Sequence, residues 1–212
     1  MTLNTRVADD QLGQYYRRTA AIADRLGKYL DFEAVMSALQ RIHDGQLEPT
    51  VLRVGEFPVW LEAEVGGKSK EELIALNKGA ERETSSYAAD IMSQDAWKPG
   101  QVELVKFARA KVRDLGFTKN PTTRELWACI EELGHSLCEP ADGPALGGAF
   151  KDQPKGDVCW TAMKQITDSD GYPFVFALER RDVGGRWLDA NWTFPVGRWR
   201  LGNVVVFPIR NK

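Results

Sequence analysis

Residues 184–212 read GGRWLDANWTFPVGRWRLGNVVVFPIRNK, and this C-terminal stretch decides the fold that the sequence predicts. With the apolar run before it, the stretch contains three strand-like segments, which are Phe174 to Leu178, Trp187 to Ala190 and Val204 to Ile209. The residues between the last two segments follow neither a strand nor a helix period, and they are too irregular for a simple hairpin turn. We therefore expect three strands that support an irregular binding surface between the second and the third.

Tryptophans occur at intervals along this stretch and predict a rigid frame for the surface. An indole on a strand is more often part of the core than a ligand contact, so we expect Trp187 and Trp199 to be buried. Their neighbours would then project outward, with Phe194 as an exposed apolar group and arginines as polar anchors. The candidate ligand-binding residues are Asp189, Asn191, Thr193, Phe194, Val196, Gly197, Arg198, Arg200, Leu201, Gly202 and Asn203.

Composition and charge argue against several function classes. The chain has 212 residues, of which 43% are hydrophobic and 27% charged, as is typical of a globular protein with a buried core. A formal net charge of -2 gives no overall case for a nucleic-acid or membrane partner, although residues 174–212 are locally basic. No apolar run reaches the roughly 18 residues of a membrane helix, and the start, MTLNTRVADDQLGQYYRR, lacks the apolar core of a signal peptide. We expect a cytoplasmic chain that binds neither nucleic acid nor membrane.

The cysteines and histidines predict no metal or cofactor. Cys129, Cys138 and Cys159 form no close pair, which favours reduced, buried and inert thiols. His135 could join them, but there is no C-x-x-C pair and the spacing matches no standard zinc site. His43 fits the C-terminal end of a helix better than a catalytic role.

The first 99 residues read as a mainly helical N-terminal region. Apolar positions recur at helical spacing from Asp10 to Leu30 and again from Phe32 to Ile42, which predicts two amphipathic helices. Pro99 and Gly100 break structure before a new apolar run, so the predicted domains are residues 1–99 and 100–212. The shorter elements predicted before the boundary are strands at Thr50 to Val54 and Val59 to Val65 and helices at Lys68 to Asn77 and Ser86 to Ser93.

The second half reads as an α+β domain. Residues 102–112 allow a strand or a helix, and we choose a long strand. Pro121 opens a helix that Thr122 or Thr123 can cap and that Gly134 ends. Further strands are expected at Ala145 to Phe150 and Val158 to Ile166.

No catalytic motif stands out, so we predict no enzyme. Glu131, Glu132, His135 and Ser136 could be drawn as an acid-base and nucleophile cluster, but they lie at a helix end, without a nucleophile elbow. The residues DSDG at 168–171 resemble the start of a calcium loop without its closing Glu, and they fit a hairpin turn better. The two helices at residues 68–93 could imitate a DNA-binding helix-turn-helix. The second helix, SYAADIMS, has an Asp and no Arg or Lys, so we do not expect it to read DNA.

The C-terminal stretch, residues 184–212, resembles that of the variable proteins of diversity-generating retroelements. In that family a reverse transcriptase rewrites the end of a target gene at adenines, and the altered residues lie on a C-type lectin fold near the C-terminus. The resemblance implies a frame of Trp187, Leu188, Ala190, Trp192, Pro195, Trp199 and the strand VVVF, with the candidate residues above as the diversified positions. It also implies a C-type-lectin-like second domain that binds a protein or other macromolecule. Calcium-dependent sugar binding is not implied, because the triplets Glu-Pro-Asn and Trp-Asn-Asp are missing.

More broadly, segments such as GKSKEELIALNKG and ELGHSLCEPADGPAL resemble a group of conserved proteins whose C-terminal ends differ between members. That similarity runs from about Gly66 onward and carries no activity with it. The alternative function is an intracellular adaptor, or an oligomerising protein, that acts through its N-terminal helices. Either function allows a homo-oligomer.

Overall fold

The computed structural model describes residues 57–209, and a mixed sheet forms the centre of this part of the chain. The predicted combination of helices with a mixed sheet is confirmed. In chain order the elements are β1 (Leu61–Val65), α1 (Lys70–Gly79), β2 (Arg82–Thr84), α2 (Ser86–Ile91), β3 (Glu103–Lys111), a 3-10 turn (Val112–Leu115), α3 (Thr123–Glu132), α4 (Asp142–Ala149), β4 (Val158–Thr161), β5 (Ile166–Thr167), β6 (Pro173–Arg180), β7 (Arg186–Trp192) and β8 (Val204–Pro208).

The strand order explains why β7 and β8 cannot form a hairpin. The order is β1-β3-β8-β4-β6-β7-β2, with β5 paired to β6. β4 and β6 therefore lie between β7 and β8, and three strand spacings separate the two by roughly 14 Å. β7 and β8 are also parallel, because β7 and β4 both run antiparallel to β6 and β8 runs parallel to β4. The segment that joins them must therefore run back along the sheet from the end of β7 to the start of β8, so the irregular spacing in the sequence reflects a crossing loop.

The boundary predicted at Pro99 and Gly100 falls inside this sheet. β1 precedes it and pairs antiparallel with β3, while β2 precedes it and pairs parallel with β7. The described residues therefore do not divide at that point. The predicted helices at 10–30 and 32–42, the strand at 50–54 and the role of His43 lie outside the described residues.

Most elements predicted within residues 57–209 are confirmed, and their ends have local causes. Ser69 caps α1 in a reciprocal capping box with Glu72, and Thr122 does the same for α3 with Glu125. Gly134 follows α3 with a φ of 88°, a backbone conformation that favours glycine. The strand chosen for residues 102–112 is present as β3. Because each cap depends on residues only three positions apart, the sequence alone was sufficient to predict these helices.

The strand predicted at Ala145 to Phe150 is wrong, because these residues belong to helix α4. Seven of the eight α4 residues are buried, so the segment shows no periodic exposure by which to tell helix from strand. Its glycines allow close packing: a Cβ on Gly147 would lie 2.1 Å from Asn77 Oδ1, and one on Gly148 would lie 2.5 Å from Leu76 Cγ. The strand predicted at Val158 to Ile166 is also interrupted, and it forms β4 and the short β5.

A buried arginine fastens α4 to the sheet. Arg82 in β2 is 1% exposed. Its guanidinium donates hydrogen bonds to the carbonyl oxygens of Gly147, Phe150 and Trp187 and to Gln153 Oε1. Burial lowers the pKa of Arg82 to about 10, and it remains charged at neutral pH. These bonds hold α4 and the first residues of β7 together, at the opposite end of β7 from the crossing loop.

Candidate ligand-binding surface

Residues 193–203 form the crossing loop, and main-chain hydrogen bonds hold it at both ends. Two turns build it, since Gly197 N donates to Phe194 O at 2.9 Å and Asn203 N donates to Arg200 O at 2.9 Å. Pro at the second position of the first turn suits that geometry. The remaining main-chain bonds are Thr193 N to Pro173 O, Thr123 N to Gly197 O, Arg124 N to Pro195 O, Trp199 N to Pro121 O, Arg113 N to Leu201 O and Val112 N to Asn203 O.

Trp199 anchors the middle of the crossing loop. It is 8% exposed, as predicted, and its indole Nε1 donates to Thr123 Oγ1 at 3.0 Å. Its ring packs against Trp127 at 5.4 Å and against Trp160 at 5.6 Å between centroids. A buried indole with a satisfied N–H fixes the loop on the start of α3.

The side chains on either side of this anchor point to solvent. Phe194 is 42% exposed and Val196 is 73% exposed. Arg198 and Arg200 are exposed too, and Arg198 donates from Nη1 to Asn120 O at 2.8 Å. Gly202 is exposed at the second turn. These predicted contact residues are therefore accessible to a ligand.

Two predicted contact residues are buried, and their side chains are engaged in hydrogen bonds within the scaffold. Asp189 is 9% exposed and accepts hydrogen bonds from Ala190 N and from the Arg181 guanidinium. Thr193 is 5% exposed, and its hydroxyl donates to Asn191 O at 3.0 Å. Both side chains make hydrogen bonds with polar groups of the scaffold. The sequence did not reveal this role, because both residues lie in the stretch that follows no regular period.

The other predicted contact residues are half-buried. Leu201 packs against the edge of the core, and Asn203 Oδ1 accepts a hydrogen bond from Arg200 N at 2.7 Å. Asn191 Oδ1 accepts a hydrogen bond from Trp160 Nε1 at 2.7 Å. Gly197 has no room for a side chain without a shift, because a Cβ there would lie 3.0 Å from Phe194 O.

A shallow groove of about 250 Å³ brings part of this set together. Its walls come from the crossing loop, the end of β7, β4 and the first residue of α3. The predicted contact residues that line it are Asn191, Thr193, Phe194, Gly197, Arg198 and Asn203. The groove has an apolar wall and a cationic rim, an arrangement suited to a side chain or short segment of a partner.

Sequence reasoning missed the aromatic residues beside the groove. Trp192 belongs to the frame in the sequence prediction, yet it is 62% exposed and lines the groove. Tyr172 and Tyr87 are 44% and 53% exposed. The strand period places Trp192 on the same face as Leu188 and Ala190, which are buried, so no local pattern showed that this last residue of β7 lies beyond the core.

The expectation that Trp187 is buried is wrong. Trp187 is half-buried, the Arg181 guanidinium lies 4.6 Å from its ring centroid, and its Nε1 donates to Gly184 O. It stands at the opposite end of β7 from Trp192 and takes no part in the groove.

The residues considered for catalysis differ in burial, although three of them lie around one cavity. Glu131 and Glu132 are exposed, whereas His135 is buried beside the rings of Phe57 and Phe207, at 5.6 and 5.2 Å. A cavity of about 630 Å³ is lined in part by Glu131, His135 and Ser136.

The cysteines carry the environment of structural thiols. Cys138 and Cys159 are buried, as predicted, while Cys129 is half-buried. Burial raises the pKa of Cys138 well above its ordinary value, and it raises that of Cys159 to about 11. Among residues 57–209, no three His, Cys, Asp or Glu side chains are grouped to hold a metal ion.

The turn predicted at DSDG is confirmed. Asp168 Oδ1 accepts hydrogen bonds from the backbone N–H groups of Asp170 and Tyr172 and so closes the connection between β5 and β6. This turn carries Tyr172 to the side of Trp192. No helix within residues 57–209 has the length and apolar character required to span a membrane.

Comparisons with known proteins found no family model that matches this chain. No curated protein matches it either. A search of solved structures likewise found no match.

Proposed function

We propose that this chain is a ligand-binding protein that presents residues 193–203 as an exchangeable contact surface, in the manner of the variable protein of a diversity-generating retroelement. It acts without catalysis. Its ligand is a protein or other macromolecule that contacts the exposed side chains of the crossing loop and the groove beside them.

The observation that carries the proposal is the way the crossing loop is held. Its anchors are main-chain hydrogen bonds and one buried ring, Trp199. Main-chain bonds do not depend on which side chain a residue carries. Positions 194, 196 and 200 can therefore change without removing a hydrogen bond to the scaffold, and a change at position 198 removes only the exposed bond from Arg198 Nη1 to Asn120 O. A diversified surface requires such tolerance.

The proposal uses a revised set of contact residues, which the burial of the side chains supports. Asp189 and Thr193 serve the scaffold, and Trp192 joins the contact surface. The contact residues of this proposal are Asn191, Trp192, Phe194, Val196, Gly197, Arg198, Arg200, Leu201, Gly202 and Asn203.

A C-type-lectin-like identity for the sheet and its helices is part of the proposal. Two helices follow Gly100, α3 and α4, and two is the number of helices in a full lectin fold. Only one of them was predicted from the sequence, because α4 reads locally as a strand. The absence of calcium-binding triplets limits the proposal to calcium-independent binding.

Exchange of the exposed side chains tests the scaffold half of the proposal. Phe194→Ala, Arg198→Ala and Arg200→Ala combined should shift the midpoint of thermal unfolding by no more than a few degrees, because exposed substitutions change stability by about 0.5 kcal/mol or less. Thr193→Val, which keeps the shape but removes a buried hydroxyl, is the contrasting variant and should cost about 1 kcal/mol. A cooperative loss of fold in the triple variant would contradict the proposal.

The gene's surroundings test the diversification half. DNA near the gene should contain a reverse transcriptase and a near copy of the codons for residues 187–207 that differs mainly where the copy has adenines. A genome without either would remove the link to retroelements.

A further inference from the structure

An exposed aromatic face lies next to the crossing loop and extends its apolar surface. We define it as Tyr87 on α2, Tyr172 in the β5–β6 turn and Trp192 at the end of β7, grouped around the buried Phe174. Tyr172 stacks on Trp192 with centroids 5.3 Å apart, and Tyr87 stacks on Phe174 at 5.6 Å. Phe174 meets Trp192 edge to face at 6.2 Å. Rings that support one another are rigid, so binding to them costs little side-chain entropy.

Trp192 joins this aromatic face to the groove. With Tyr172 on one side and 62% of its surface exposed, the indole keeps a large area open to a ligand. Phe194 lines the same groove and is 42% exposed. Exposed aromatic side chains that are contiguous and rimmed by polar groups are typical of protein interaction sites.

The loop side of this surface is basic. Arg198 and Arg200 belong to the loop, while the backbone N–H groups of Arg113 and Arg124 bond to Leu201 and Pro195 and bring two more exposed arginines beside it. We call these four arginines the basic edge.

The carboxylates near the basic edge are occupied with helix caps. Glu125 accepts hydrogen bonds from Thr122 N at 2.7 Å and Oγ1 at 2.8 Å, which, with the charge of Arg198, lower its pKa. Asp114 Oδ2 accepts from Lys111 N at 3.1 Å. Four guanidinium groups against these two carboxylates leave the edge positive, in a chain whose formal net charge is -2. Such a local field favours an acidic partner.

The opposite side of the aromatic face is acidic, and this argues against a nucleic acid. Asp170 is exposed next to Tyr172. Asp90 reaches the same turn, where its Oδ2 accepts hydrogen bonds from Ser169 N and Oγ at 3.0 Å. A single-stranded nucleic acid would stack its bases on the rings but would bring its phosphates past these carboxylates. A protein segment can place its acidic residues on the basic edge alone.

We propose that the partner presents an acidic protein segment with an aromatic or large apolar anchor side chain. The anchor packs on Trp192 and Phe194, and neighbouring carboxylates pair with Arg198 and Arg200. This inference rests on the proposed function and assigns the chemical class of its ligand.

A library of random short peptides displayed on phage is the probe that tests the inference. It would be selected on the full chain, and the selected peptides would be measured against Arg198→Gln/Arg200→Gln and against Trp192→Ser. We expect peptides in which Asp or Glu flank an aromatic, Leu or Met. Their affinity should fall roughly tenfold in the double arginine variant, since two exposed charge pairs together contribute about 1 kcal/mol or somewhat more. Added salt should weaken the binding of these peptides as well, because it screens the charge pairs.

Lys155→Gln is the matched control. Lys155 is an exposed cation in the turn before β4, at the Arg180 end of β6 and therefore opposite to Phe174. It should leave peptide affinity unchanged. The side chains of Arg198, Arg200 and Lys155 are exposed, and that of Trp192 is partly covered. If the Trp192→Ser variant unfolds, the double arginine variant still decides the test.

The outcomes separate this inference from the proposed function. Loop-dependent peptides that are neutral or basic would overturn the acidic partner and leave the proposed function standing. A single-stranded oligonucleotide that binds through the same arginines, with no acidic peptide selected, would overturn it in favour of a nucleic acid. No loop-dependent ligand of any kind would overturn both.

Discussion

Trp187 and Trp199 illustrate at the residue scale how the surroundings decide the role of the same side chain, since Trp187 lies on β7 and Trp199 in the crossing loop. Trp199 is enclosed by two other indoles and donates to a buried threonine hydroxyl. Trp187 is half-buried, with an arginine over one face of its ring. Both were predicted to be buried from the same general preference of tryptophan, and only their neighbours distinguish them.

The two tryptophans should therefore respond differently to truncation. Trp199→Ala is expected to lower the free energy of unfolding by about 3–5 kcal/mol, because it removes a large buried group. Trp187→Ala should cost about 1 kcal/mol, the sum of a half-buried ring and a cation–π contact. Urea denaturation followed by far-UV circular dichroism measures both. Equal losses would contradict the assignment of Trp199 as the anchor of the loop.

At the scale of elements, α4 shows why a short apolar segment can be mistaken for a strand. Apart from Asp142 its residues are apolar or small, and the helix is buried on nearly every side, so hydrophobic periodicity is lost. The glycines of α4 carry the missing information, because they permit contact with α1 and with the side chain of Arg82. That contact is made with residues about seventy positions earlier in the chain, which no local pattern shows.

Gly147→Ala is expected to destabilise the protein by about 1–3 kcal/mol, because the added Cβ would lie 2.1 Å from Asn77 Oδ1. Asn77 cannot yield easily, since its amide donates to Leu73 O and Pro144 O within the core. Gly79→Ala is the matched control: nothing lies within 4 Å of its added Cβ, and Gly79 is the last residue of α1. It should be neutral or stabilising by up to about 1 kcal/mol. Thermal unfolding of both variants checks the difference, and equal effects would contradict the packing argument.

For the whole molecule, a buried carboxyl should make stability depend on pH. Burial raises the pKa of Asp142, in the first turn of α4, from 3.8 to about 7, although its hydrogen bond from Glu139 N favours the ionised form. The folded state therefore prefers the protonated acid more than the unfolded state does. Its contribution is fully present below about pH 4 and is lost as pH rises through about 7.

Asp142→Asn should remove this dependence. The amide oxygen can still accept the hydrogen bond from Glu139 N, and no charge has to be buried at high pH. We expect the variant to gain stability over the native chain between pH 5 and pH 8, on the order of 1 kcal/mol for each unit of pKa difference. Urea unfolding across this pH range measures the effect. If the free energy of unfolding of the variant differed from that of the native chain by the same amount at every pH, the pKa of Asp142 would not change on folding.

Local signals in the sequence determined most elements between residues 57 and 209. The capping boxes of α1 and α3, the continuous apolar run of β6 and the DSDG turn each depend on residues within a few positions of one another. The irregular segment before β8 and its exposed Phe194 and arginines could be recognised in the same way, because they depart from every regular period.

Only the tertiary structure decided the strand order, the identity of α4, the burial of Asp189 and Thr193, and the exposure of Trp192. The order places β6 and β4 between the parallel strands β7 and β8, and so the irregular sequence becomes a loop that runs back along the sheet from the end of β7 to the start of β8. The aromatic face likewise joins Tyr87 and Tyr172 to Trp192 from three separate elements. These features arise from contacts between residues distant in the chain, and the free energy of such contacts depends on neighbours that a local pattern does not contain.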